Sequence, residues 1–159
     1  MTTGLPAPGA VIAEDEPLLA AALRAELAAV WPELDVRAAP TDGQRAWEAL
    51  LEHHPQVAFL DIRMPGMSGL EVAQAVAEDW PAHVPPPLLV FVTAYDAHAV
   101  QAFELAAIDY LLKPVRRDRL ALTVARVRQQ LASRAAGASA DADLTALASR
   151  LAPLLGQLA

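Results

Sequence analysis

The 159-residue chain contains no cysteine. That excludes a disulfide framework, thiol chemistry and zinc sites built on Cys ligands, and it suits a reducing compartment. No apolar run approaches the ~18 residues that a membrane span needs. The N-terminus, Met-Thr-Thr-Gly-Leu-Pro-Ala-Pro, has neither the basic stretch nor the apolar core of a signal peptide. A cytoplasmic protein with no membrane contact is expected. Lysine is almost absent too: eleven of the twelve basic residues are Arg, and the exception is Lys113. Arg and Lys are not physically interchangeable, so a single Lys marks its position.

Charge is unevenly spread. Residues 1–115 carry 16 acids and 5 bases, and residues 116–159 carry 3 acids and 7 bases. The acidic body argues against a grip on a phosphate backbone. The mildly basic end reads as solvated helix surface. His53, His54, His83 and His98 show no convergent spacing and read as surface residues rather than metal ligands.

What the chain does have is alternation. Ala10–Ala13, Asp35–Ala39, Val57–Leu60, Leu88–Val92 and Ile108–Leu112 are short strand candidates. Helical patterns follow each. The first starts at Pro17, a residue tolerated in a first turn, with Leu18, Leu19, Ala22, Leu23, Leu27 and Val30 at helical spacing. The second opens at Thr41-Asp42-Gly43 and runs to about His53. The third has Ser68 as N-cap. A short one covers about Ala97–Leu105, and the last runs from about Asp118 to Ser133. Five βα units imply a parallel sheet covered on both faces. Such sheets bind ligands at the carboxyl ends of their strands.

Five side chains stand at those ends: Glu14 and Asp15 after strand one, Asp61 after strand three, Thr93 after strand four and Lys113 after strand five. Three clustered carboxylates repel one another, and a hard divalent cation relieves the conflict. Few protein ligands and open positions suit Mg²⁺. Lys113 offers a point charge and Thr93 a hydroxyl to phosphoryl oxygens, which matches the electrostatics of phosphoryl transfer.

These residues resemble the receiver domain of two-component response regulators over about residues 10–133. The resemblance rests on Glu14-Asp15, on Phe59-Leu60-Asp61-Ile62-Arg63-Met64-Pro65-Gly66-Met67-Ser68-Gly69, on Thr93-Ala94 and on Asp109-Tyr110-Leu111-Leu112-Lys113-Pro114. It implies a flavodoxin-like (βα)5 fold, a doubly wound five-stranded parallel sheet in the order 2-1-3-4-5, followed by a C-terminal linker helix. It implies that Asp61 accepts a phosphoryl group from a sensor histidine kinase. Asp15, Asp61 and the Arg63 backbone carbonyl would hold Mg²⁺, with Glu14 acting through water. Lys113 and Thr93 would contact the phosphoryl group beside the small Ala94, and Tyr110 would turn inward as a switch. The Lys113–Pro114 bond would be cis.

The stretch Val92–Tyr95 with Ala106–Val115 is similar to receivers attached to LytTR-type DNA-binding domains, as in LytR/AlgR-like regulators. Such a module needs on the order of a hundred further residues, so DNA contact would come only through a domain beyond residue 159. Residues 1–9 read as a flexible N-terminus and 134–142 as a linker. Residues 143–159 read as a Leu-rich helix, with Leu144, Leu147, Leu151, Leu154 and Leu158 at spacings of 3 and 4. Homodimerisation on activation is expected through Ala97–Leu105, strand five and the last helix. A stand-alone adaptor receiver is an alternative. An Asp-nucleophile phosphatase of the haloacid-dehalogenase type needs an acid two residues after the nucleophile, where this chain has Arg63.

Overall fold

The structure is a computed structural model that describes residues 7–94 and 107–136. Its strands are β1 Gly9–Ala13, β2 Asp35–Ala38, β3 Val57–Leu60, β4 Leu88–Thr93 and β5 Asp109–Leu112. Its helices are α1 Pro17–Val30, α2 Gly43–His53, α3 Gly69–Asp79 and α4, residues 117–136. The strands form one parallel sheet in the order β2-β1-β3-β4-β5, the flavodoxin-like topology expected. The expected short helix at Ala97–Leu105 and the Leu-rich segment 143–159 lie outside the described residues. The compact body ends at Val127, and the rest of α4 belongs to a second unit, described only as helix.

Both sheet faces are covered, which is why β1 and β3 are buried at every position. Side chains alternate across a strand. One set, Val11, Ala13, Ala58, Leu60, Leu89 and Phe91, packs with Ala46, Leu50, Val72, Ala73 and Val76 of α2 and α3. The alternate set, Ile12, Phe59, Val90 and Val92, is buried as well, as are Leu23 and Leu27 of α1 and Leu120, Val124 and Val127 of α4.

Local chemistry sets the helix ends. The Asp42 carboxylate caps α2 by accepting the Arg45 N–H at 2.8 Å. Ser68 and Glu71 form a capping box at α3. Along α1 the helical spacing does not bury every member: Leu23 and Leu27 are buried, whereas Leu18 and Leu19 are 85% and 36% exposed. The last helix runs to residue 136, three residues past its expected end at about Ser133; Arg134, Ala135 and Ala136 are strong helix formers. The Pro-rich connection at Pro81–Pro87 precedes β4, at the sheet edge opposite the strands' carboxyl ends, and Trp80 Nε1–H donates to the Val84 carbonyl across it at 2.9 Å.

Candidate functional site

Strand register brings the five side chains to one edge. Ala13 pairs with Leu60, Leu60 with Phe91 and Thr93 with Leu112. The next residues therefore emerge together: Glu14 and Asp15 from β1, Asp61 from β3, Lys113 from β5. The ladder continues into the site. Asp61 N–H donates to the Ala13 carbonyl at 2.9 Å, and Lys113 N–H to the Thr93 carbonyl at 2.8 Å.

Glu14, Asp15 and Asp61 each offer a carboxylate oxygen within 4.8 Å of the others. Glu14 and Asp61 are buried and Asp15 is half-buried. Lys113 Nζ donates to Asp61 Oδ2 at 2.8 Å and also to Glu14 Oε1. Asp61 Oδ1 accepts the Arg63 N–H at 3.3 Å. Burial pushes the Glu14 carboxyl up to about 7; the Lys113 ammonium pulls the other way, and the neighbouring Asp61 reinforces the rise. Burial would lower the Lys113 ammonium, but hydrogen bonds to Asp61 and Glu14 outweigh it and hold the group above its ordinary value.

The donor set is hard and all oxygen, which fits Mg²⁺ or Ca²⁺ rather than a soft metal. Its surplus negative charge is only partly matched by one ammonium. The Thr93 hydroxyl is fully buried and has no hydrogen-bond partner among the described residues, so it is a polar atom ready for a ligand oxygen. Ala94 is exposed beside it. The Arg63 side chain is exposed and lines an open cleft with Asp15, Met64 and Pro65. Tyr110 is half-buried and packs against the core, with its hydroxyl buried. The Lys113–Pro114 bond is cis, as the resemblance implied.

Two contributors were not singled out from the sequence. A Cβ on Gly69 would lie 2.2 Å from the Asp61 carbonyl oxygen, and the Gly69 N–H donates to the Ile62 carbonyl at 2.8 Å. A Cβ on Gly43 would lie 2.0 Å from the Met67 carbonyl oxygen. The loop after Asp61 is therefore clamped by two helix starts that tolerate no side chain. Turn-former composition signals the loop, but not the close approach.

The response regulator receiver domain family matches residues 10–125. The chain belongs to that family. An uncharacterized response regulatory protein of Vibrio cholerae is 50% identical over 77% of this chain and 45% of its own length. The sensory transduction protein LytT of Oceanobacillus iheyensis is 37% identical over 78% of this chain and 49% of its own. The chain thus spans about half the length of the curated relatives it matches. Among solved structures, the REC domain of AraT, a response regulator from Geobacillus stearothermophilus, superposes with a TM-score of 0.72 at 32% identity, covering 80% of this chain and 98% of that one. Receiver domains are in general signalling domains rather than turnover enzymes. Among the described residues no helix is long and apolar enough to cross a membrane.

Proposed function

We propose that Asp61 is the phosphoryl acceptor of this receiver and that a sensor histidine kinase is the donor. The observation that carries the proposal is Lys113 Nζ at 2.8 Å from Asp61 Oδ2, inside a cluster that also holds Glu14 and Asp15. An Asp61 carboxylate oxygen attacks the phosphorus, the P–N bond of the phosphohistidine breaks, and the imidazole leaves with the electron pair and takes a proton. The product is an acyl phosphate on Asp61. Lys113 then turns its charge to a phosphoryl oxygen, and the Thr93 hydroxyl hydrogen-bonds another next to the small Ala94. Glu14, Asp15, Asp61 and the Arg63 carbonyl would hold Mg²⁺, which supplies neutralisation of phosphoryl charge when bound. The domain's own chemistry is limited to accepting the group and slowly hydrolysing it.

The Tyr110 ring is the proposed switch, moving as Thr93 engages the phosphoryl group. The output is dimerisation through β5, α4 and the region around Ala97–Leu105. It would control a LytTR-type DNA-binding domain beyond residue 159, in the cytoplasm. Support for that subfamily comes from LytT and from the positive alginate biosynthesis regulatory protein of Pseudomonas aeruginosa, each 37% identical to this chain.

Acetyl phosphate with Mg²⁺ should add ~80 Da, one phosphoryl unit, and Asp61→Asn or a chelator should abolish the addition. Equal labelling of the variant would remove Asp61 as acceptor. Sedimentation with and without beryllofluoride reads the dimer, and an unchanged mass would rule that output out.

A further inference from the structure

Among the described residues the buried polar and charged side chains fall into two groups. Glu14, Asp61 and Thr93 belong to the site; Asp109 and Thr123 do not. Asp109 opens β5, four residues before Lys113, or about 13 Å away along an extended strand. It is only 3% exposed. Arg119 Nη2 and Nη1 grip its two carboxylate oxygens at 2.8 and 3.0 Å. Thr123 Oγ1 donates to Oδ2 at 2.7 Å and accepts from Arg119 Nη1 at 2.9 Å. Arg126 Nη1 stands 3.3 Å from Oδ2, and the Tyr110 N–H donates to Oδ1 at 2.8 Å. Residues 119, 123 and 126 recur at helical spacing, so one carboxylate binds a whole stripe of α4.

Stability alone is a weak reason to keep such a cluster. Well-packed apolar side chains in place of a buried ion pair are often as stable or more so. What a bidentate carboxylate–guanidinium pair adds is direction: it fixes where the helix sits along and around its own axis. Apolar contacts slide more easily. The partner of that fixed helix is the strand that carries both Tyr110 and Lys113, and β5 is itself locked to β4 from Val90–Asp109 through Thr93–Leu112.

We propose that Asp109, with Arg119, Thr123 and Arg126, is a transmission latch that makes α4 follow β5. Displacement of β5 when Lys113 and Thr93 engage a phosphoryl group reaches α4 through this carboxylate. Asp109 is a positioning residue: it touches no reacting atom. The latch rests on Asp61 being the acceptor.

The test uses the full chain with and without beryllofluoride and Mg²⁺, reading amide hydrogen exchange over residues 117–127. Phosphoryl acceptance is read in parallel by mass after acetyl phosphate. In the unaltered protein, exchange there should change by about tenfold on adding beryllofluoride. In Asp109→Asn it should change by less than about twofold while Asp61 still labels fully. A purely structural role would shift exchange equally in both states and leave the difference intact. Arg126→Gln, which removes only the outermost arm, should reduce the difference part-way and covers the case in which Asp109→Asn does not fold. An unaltered difference in a folded variant overturns the latch, as does the absence of any difference in the unaltered protein. Failure of the unaltered protein to label is a separate result, and it overturns the acceptor assignment and the latch together.

Discussion

Gly69→Ala should damage both stability and phosphoryl acceptance, and its size can be worked from the structure. The new Cβ would lie 2.2 Å from the Asp61 carbonyl oxygen and 2.9 Å from its carbon. Both atoms are backbone, so no rotamer change relieves the overlap; α3 must back away from the loop. That stretches the 2.8 Å bond from Gly69 N–H to the Ile62 carbonyl. Overpacking costs about 1–3 kcal/mol and loss of a hydrogen bond about 1 kcal/mol. The sum is about 2–4 kcal/mol, which lowers Tm by about 8–16 °C in a domain of this size. Gly66→Ala is the control. Gly66 has φ +78 but open space around it, so the cost is the left-handed conformation alone, about 1–2 kcal/mol. Thermal melts followed by circular dichroism should rank Gly69→Ala clearly below Gly66→Ala. Labelling by acetyl phosphate should slow by about tenfold or more in the first, because the displaced backbone is that of Asp61 itself, and little in the second. If Gly69→Ala melts within about 3 °C of the unaltered protein, inside the range of a neutral substitution, the cradle is not rigid and Gly69 does not hold the Asp61 backbone in place.

Two further outcomes concern charge. Lys113→Met leaves Glu14 and Asp61 facing without a cation and should cost about 3–5 kcal/mol in metal-free buffer. The Glu14 carboxyl, already up to about 7, loses the influence that lowers it. A folded carboxyl held above its unfolded value stabilises fully below the ordinary Glu range and loses that stability as pH rises through the folded value. Urea titrations should therefore find Lys113→Met more stable near about pH 5 than about pH 8, with Mg²⁺ recovering much of the loss at the higher pH; a pH-independent midpoint would contradict this. Asp109 has the opposite sign. Burial would raise its carboxyl, but hydrogen bonds from Arg119, Thr123 and the Tyr110 N–H hold it below the ordinary value. Its stabilisation is present above the ordinary Asp range and is lost as pH falls through the folded value. Asp109→Asn should flatten the acid limb of the stability profile, and an unchanged limb would show that other carboxylates govern acid unfolding.

The sheet was legible because a parallel strand buried on both faces is written as a continuous apolar run. Val57–Leu60 and Leu88–Thr93 cannot easily be mistaken. The edge cluster was legible because Glu14-Asp15, Asp61, Thr93 and Lys113 each follow such a run directly, so finding strand ends also finds the site. The latch was not. Arg119 and Arg126 read as solvated helix surface, and nothing local distinguishes them from Arg116, which pairs with the exposed Asp118. Their partner is buried 10 and 17 positions earlier in the chain, and burial of a carboxylate is a tertiary fact. Leu18 and Leu19 share helical spacing with the buried Leu23 and Leu27 yet are exposed, because periodicity assigns a helix face but not which of its turns the rest of the protein covers.

The chain's single ε-amine sits between Glu14 and Asp61. Side-chain amine chemistry on this protein is therefore chemistry at one address. Reductive methylation with an isotopic label would place one side-chain reporter in the acidic edge, and the N-terminal amine separates from it by its much lower pKa. Metal, beryllofluoride and phosphoryl group would each be read from a single resonance. Few proteins offer such a probe without first removing competing lysines; here arginine has already taken their places.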